Sequence, residues 1–172
     1  MKGHGVIRRV DNLGRIVLPI HFRKFLNIFE NDDVLITLDQ DQIIISKNDT
    51  FHGKTQTFKS ICVSLYTIVG GTILICDHEK IVASYGIKSN LYLEGLYLSE
   101  DLKKRIKKDS FLSSNLSLIE SFIETNTTYV HPIIGRNGKE VGSIIYIYEK
   151  DLLENVSQLI SSYAIFISEI LK

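Results

Sequence analysis

Apolar and polar positions change their period several times along the chain, and those changes outline its elements. Gly5–Val10 and Arg15–Leu18 are rich in Val, Ile and Leu, and Asp11-Asn12-Leu13-Gly14 between them carries turn chemistry, so a hairpin is predicted. Pro19 stops the second strand and is placed to open a short helix over Ile20–Leu26, because a first helical turn needs no N–H from it. Val34–Leu38 and Ile43–Lys47 predict a second hairpin around Asp39-Gln40-Asp41-Gln42. The order is strand, strand, helix, strand, strand.

Asn48–Lys54 is polar, contains Gly53, and joins this segment to the next. From Thr55 the period becomes helical: Phe58, Ile61, Cys62, Leu65, Ile68 and Val69 share one face, and Gly70-Gly71 ends the run. Strands are predicted over Thr72–Cys76 and Ile81–Ser84, with Asp77-His78-Glu79-Lys80 as their turn. A helix follows over Ser99–Lys107, with Ser99 as N-cap and Glu100 and Asp101 in its first turn. A further helix is predicted over Leu116–Ile123, then a hairpin of Thr127–Ile134 with Val141–Tyr148 around an Asn-Gly turn. The last helix, Asp151–Leu171, carries a stripe of Leu152, Val156, Leu159, Tyr163, Phe166 and Ile170, widened by Leu153, Ile160, Ile167 and Leu171. That stripe is broad enough either to cover its own sheet or to pack between subunits. The fold class is α+β.

Size sharpens the picture. A segment of about fifty residues is marginal as an independent fold unless a disulfide, a metal or a partner chain completes it. Neither a disulfide nor a metal pattern is visible in residues 1–50, so this segment is expected to pair with a second copy. The whole chain has 172 residues, 44% hydrophobic and 23% charged, as in ordinary globular proteins. It shows neither a long uncharged apolar run nor a secretory leader, and its two cysteines, Cys62 and Cys76, lie outside any zinc spacing. A cytoplasmic protein is expected.

The net charge is zero, but it is unevenly spread. Residues 1–24 hold Lys2, Arg8, Arg9, Arg15, Arg23 and Lys24 against Asp11 alone, a net of +5. Residues 25–50 hold Glu30, Asp32, Asp33, Asp39, Asp41 and Asp49 against Lys47, a net of −5. Such polarity lets one face attract phosphate while the other repels it.

Residues 10–28 read VDNLGRIVLPIHFRKFLNI, preceded by GVIRRVD and followed by NDDVLITLDQDQIIISK. This stretch resembles the AbrB-type swapped-hairpin family: a Gly-Arg, an apolar pair, a proline, an arginine-bearing helix ending in Leu-x-Ile, then an acidic stretch and an apolar hairpin. Further on, GGTILICD, KIVASYG and NGKEVGSIIYIYEKD resemble segments of family members that append a GAF domain. The resemblance implies a dimeric swapped-hairpin β-barrel over residues 1–50, a linker over 51–54 and a GAF-like domain over 55–172, with an antiparallel sheet flanked by helices. It further implies tetramers through helix bundles and control, by activation or repression, of forespore-stage sporulation genes on the nucleoid. An interleaved dimer would gather two copies each of Arg8, Arg9, Arg15, Arg23 and Lys24 into a basic face for double-stranded DNA. Lys24 stands where the family more often has arginine, and His21-Phe22 replaces a more typical polar-aliphatic pair. Lysine lacks the planar fork, so a bidentate contact at position 24 is not expected.

Other chemistries are weaker. Some GAF-like folds use cysteines as a redox enzyme, but Cys62 falls on an apolar helix face and Cys76 in a buried-looking strand, as core residues do. His78 and His131 have no metal partner at a recognisable spacing, and Gly135, Gly138 and Gly142 precede no helix that could cradle phosphate. No catalytic residue, cofactor or metal is therefore assigned. No cyclic-nucleotide or haem motif occurs, which leaves open whether the GAF-like pocket takes a small ligand. An antitoxin binding both DNA and a toxin would end in a short disordered tail, whereas this chain continues with strong periodicity. An assembly scaffold with vestigial DNA binding is the remaining alternative.

Overall fold

The computed structural model describes residues 5–171 apart from 27, 29, 31–33, 48, 49, 107, 108, 121, 137 and 149–154. The chain divides into two compact units, Met1–Asp49 and Thr50–Lys172.

In the first unit, helix α1 spans Ile20–Phe25, and the Pro19 carbonyl accepts the N–H groups of Phe22 and Arg23. Strands β1 (Val34–Asp39) and β2 (Gln42–Lys47) pair antiparallel, with Leu38 opposite Ile43. Gln40 turns between them at φ 49°. The first predicted hairpin is only half present. Its turn forms, closed by Asp11 N–H to the Arg15 carbonyl and Gly14 N–H to the Asp11 carbonyl. Among the described residues, Gly5–Val10 and Arg15–Leu18 make no strand ladder, and no closed barrel is formed. The reason is cover. Ile7 is 98% exposed, Phe25 81% and Val17 77%, so no apolar burial within the chain offsets the entropy of ordering two strands.

The second unit begins with helix α2 (Thr55–Val69), which buries Phe58, Ile61, Cys62 and Leu65 and ends at Gly70, φ 68°. Strands β3 (Thr72–Asp77) and β4 (Ile81–Gly86) follow, then helix α3 (Glu100–Arg105), whose Ser99 hydroxyl accepts the Leu102 N–H. Next come the short strands β5 (Phe111–Ser113), β6 (Leu116–Ile119) and β7 (Phe122–Glu124), the long pair β8 (Thr127–Ile134) and β9 (Glu140–Tyr148), and helix α4 (Val156–Ile170). Five strands form one antiparallel sheet in the order β4-β3-β9-β8-β5.

Alternate residues of the central strands feed two separate cores, since successive side chains of a strand leave opposite faces. Ile73, Ile75, Ile144 and Tyr146 join Phe58, Leu65, Ile160 and Ile167 under α2 and α4. Leu74, Cys76, Ile145 and Ile147 join Tyr92, Leu102, Leu116 and Leu118 on the other side. Phe51 inserts its ring into the first core beside Phe58. Position 142 has no room for a larger residue, because a Cβ there would lie 2.3 Å from the Cys76 carbonyl oxygen and 2.7 Å from the Phe51 ring.

Two expectations about helices change. Where a helix over Leu116–Ile123 is expected, Leu116–Ile119 and Phe122–Glu124 pair as the hairpin β6–β7. Its apolar residues fit either period, and what decides is that Leu116 and Leu118, two apart, both drop into the second core. In α4 the buried line runs Val156, Ile160, Ala164, Ile167 and Leu171, with Leu159, Tyr163 and Ile170 partly buried beside it. Ile165 (64% exposed) and Phe166 (54%) lie outside that line. Residues 151–154 of the predicted helix lie outside the described residues. Among the described residues no helix is long and apolar enough to cross a membrane.

Candidate nucleic-acid interface

The Asp11–Arg15 loop is organised by one carboxylate. Asp11 Oδ1 accepts the backbone N–H of Leu13 and of Arg15, both at 2.9 Å, and Oδ2 accepts Arg15 Nε–H at 2.7 Å. Gly14 turns the chain at φ 76°, a region that glycine enters without a Cβ penalty. The backbone and side-chain bonds from Arg15 hold the Asp11 carboxyl below the usual carboxylate range.

The other predicted contact residues flank this loop. Arg8 and Arg9 lie exposed on the extended run before it. Arg23 and Lys24 sit in the last turn of α1, Arg23 half-buried and Lys24 exposed. Arg23 lines a groove of about 260 Å³ whose other walls are apolar, among them Leu18, Phe22, Ile28, Ile43 and Ile45. Among the described residues Arg15 alone of the five has an acidic partner, and no ion pair engages Arg8, Arg9, Arg23 or Lys24. Two apolar runs, Gly5–Val10 and Arg15–Leu18, thus carry cations in the same stretch as uncovered apolar side chains.

The second unit holds a polar cluster that sequence inspection did not find. Glu124, with no solvent exposure, accepts Lys88 Nζ at 2.7 Å and the Asn126 N–H at 2.9 Å on Oε1, and the Tyr92 hydroxyl at 2.6 Å on Oε2. Burial alone would raise the Glu124 carboxyl; the bonds from Lys88, Tyr92 and Asn126 outweigh it and hold the group below its ordinary value. Burial and the neighbouring carboxylate push the Tyr92 phenol up. Nothing local in the sequence flags this cluster, because its members come from two segments more than thirty positions apart and Glu124 falls just past a stretch that reads as helical.

Both cysteines are core residues. Cys62 packs in the first core, its thiol pushed up to about 12 mainly by burial, and Cys76 packs in the second, its thiol likewise raised. The sheet separates the two clusters they belong to. His78 Nδ1 pairs with Glu140 at 3.1 Å, and His131 Nδ1 lies 2.8 Å from the Pro132 carbonyl. Among the described residues no group of three or more His, Cys, Asp or Glu could hold a metal ion.

Known proteins match both units. Residues 7–51 match the family described as antidote-toxin recognition MazE, bacterial antitoxin, and residues 55–171 match stage V sporulation protein T C-terminal, transcription factor. Stage V sporulation protein T of Bacillus subtilis (strain 168) is 32% identical over 157 residues, covering 88% of this chain and 86% of that protein. The transition state regulatory protein AbrB of the same organism is 47% identical over 47 residues, 27% of this chain and 49% of AbrB. Among solved structures, a type II free methionine-R-sulfoxide reductase from Thermoplasma acidophilum shares the fold, with TM-score 0.52 and 18% identity, covering 72% of this chain and 95% of that one. The A. aeolicus nlh2 GAF domain superposes at TM-score 0.49 and 16% identity, covering 70% of this chain and 88% of that one.

An AbrB-like module followed by a stage V sporulation protein T C-terminal domain, an antiparallel sheet flanked by helices, defines a class of two-domain transcription regulators. The chain belongs to the stage V sporulation protein T family and is a transcriptional regulator of sporulation.

The Glu124 cluster yields a pH dependence with a definite sign. A carboxyl held below its ordinary value near 4.5 in the folded state stabilises at pH above that value and loses the contribution as pH falls through the folded-state value. Glu124→Gln should therefore lower stability at pH 7 by about 3 kcal/mol, since Lys88 loses its counter-charge. Thermal unfolding of both proteins from pH 7 to pH 3 checks this. The gap should narrow in the acid range, and parallel curves would show that Glu124 is not ionised in the folded protein.

Proposed function

We propose that the protein acts as a dimer through residues 1–50, joined by 51–54 to the domain at 55–172, and that it binds double-stranded DNA with Arg8, Arg9, Arg15, Arg23 and Lys24. The observation that carries this is the state of the first unit. Its apolar side chains, Ile7, Val17 and Phe25 among them, are uncovered, while four cations beside them have no acidic partner among the described residues. A second copy that buried those apolar residues would double the number of cations on one body, and phosphate would then be the natural counter-charge. The family matches support the same assignment. On this reading the protein acts in the cytoplasm, on the nucleoid, and in the forespore, activating or repressing genes, and the match to the stage V sporulation protein T family supports it. Its relatives are transcription factors and both thiols are packed in apolar cores, so no enzyme activity is assigned to it.

The exposed Ile165 and Phe166 on α4 supply a surface for joining dimers into a tetramer. Toxin binding by the first unit is the second reading, favoured by the match of residues 7–51 to the antitoxin family.

Three measurements test these assignments. Arg15→Ala and Arg23→Ala should each weaken binding to mixed-sequence duplex DNA and reduce the slope of log affinity against log salt by about two per dimer, one for each lost phosphate contact. Unchanged slopes in both variants would remove these residues from the interface and shift weight to the toxin-binding alternative. Residues 1–54 alone should sediment as a dimer whose unfolding temperature rises with protein concentration. A stable folded monomer would refute the paired module. Lastly, the intact protein should be a tetramer, and Ile165→Glu with Phe166→Glu should reduce it to dimers with the helical circular dichroism preserved, because neither side chain lies in its own unit's core. A wild-type dimer at micromolar concentration would exclude the helix-mediated step.

A further inference from the structure

We infer that Asp11 is a positioning residue for DNA recognition: it grips Arg15 at Nε so that the two terminal nitrogens of the guanidinium point a fixed fork at the duplex. This rests on the assignment of Arg15 to the DNA interface.

The Asp11 carboxylate divides its work between its two oxygens. Oδ1 is taken by the backbone N–H groups of Leu13 and Arg15, which closes the loop, and Oδ2 is left for the Arg15 side chain, which it holds at 2.7 Å. A bidentate carboxylate–guanidinium pair is thereby prevented, because Oδ1 is already engaged with the backbone. Of the five N–H donors of the guanidinium, the bond to Asp11 uses the one on Nε. Among the described residues Nη1 and Nη2 make no hydrogen bond, and the side chain is 72% exposed. The guanidinium is planar, so a grip on Nε sets the plane in which its remaining donors lie. Two parallel donors on one fixed plane suit the O6 and N7 edge of guanine or two oxygens of one phosphate.

The charge balance argues against Asp11 as a mere counter-ion. It is the one acidic residue among positions 1–24, in a segment with a net charge of +5. For attraction alone the carboxylate is a disadvantage, since it repels phosphate and offsets one cation. What it adds is direction. An arginine on a free stem meets DNA in many rotamers, whereas one anchored at Nε meets it in few, which favours one sequence over others rather than all sequences equally.

That opposition of effects gives the test. From a random pool, a duplex is selected with the intact wild-type protein, and affinities for it and for a mixed-sequence duplex are measured at one salt concentration. Asp11→Asn keeps an acceptor for the loop's backbone N–H groups but loses the charge that grips Nε. It should bind the mixed-sequence duplex as well as wild type or better, and the ratio of selected to mixed affinity should fall roughly tenfold. Combined with Arg15→Ala, Asp11→Asn should leave the ratio where Arg15→Ala alone puts it. Asp11→Glu, which keeps the charge but moves it by one methylene, should also lower the ratio, without any gain on the mixed duplex. Arg15→Lys should match Arg15→Ala in ratio while keeping the wild-type salt slope. A ratio unchanged by both Asp11→Asn and Asp11→Glu would overturn the inference. So would an equal fall in the Arg15→Ala background, which would make Asp11 a builder of the turn only. If Arg15→Ala itself changes neither affinity nor ratio, the DNA assignment of Arg15 falls and the inference with it. If Arg15→Ala lowers the ratio and the Asp11 variants do not, the assignment stands and the positioning role alone is lost.

Discussion

Strands β3 and β9 carry apolar side chains on both of their faces, and that one constraint organises the second unit. A sheet buried on one face needs one cover; this one needs two. Helices α2 and α4 provide the first, and the second is assembled from shorter pieces, α3, the β6–β7 hairpin and the loop that brings in Tyr92. Because that second cover is made of loops and short strands, it brings polar groups with it. Glu124 is carried inside, and the structure accommodates it only by surrounding it with Lys88, Tyr92 and the Asn126 N–H.

The first unit meets the opposite situation. Among the described residues it has one small hairpin, one short helix and two extended runs, and no layer covers Ile7, Val17 or Phe25. The charge pattern follows the sequence: cations gather in residues 1–24, on the extended runs and α1, and carboxylates gather in residues 25–50. On the proposed reading a second copy would supply the missing cover and double each cation, which would link folding, assembly and DNA binding in one step.

Elements with one dominant period were legible in advance. The face of α2, its termination at Gly70, the Ser99 cap and the long β8–β9 pair all follow from local rules: steps of three and four, a left-handed glycine, a hydroxyl before a helix, an Asn-Gly turn. The Asp11 turn was legible for the same reason, since Asp11 and Arg15 lie within five residues of each other. Where periods compete, local rules cannot choose. Leu116–Ile123 fits a helix and a hairpin alike, and only the second core, built from residues far along the chain, selects the hairpin. The inward line of α4 was misplaced by part of a turn for a similar cause, since a broad apolar stripe does not say which of its edges meets the sheet.

The division into two parts, the periods of the long elements, the polarity of charge and the family motif are all written in contiguous stretches of sequence, so they can be read without knowing what packs against them. Tertiary structure alone decided which faces are covered and which polar groups meet. It placed Glu124 against Lys88 and Tyr92, more than thirty positions away, and left Ile7 and Val17 bare. Burial is a property of what packs from elsewhere in the chain. No window of local sequence contains the residue that arrives from the other side of the sheet.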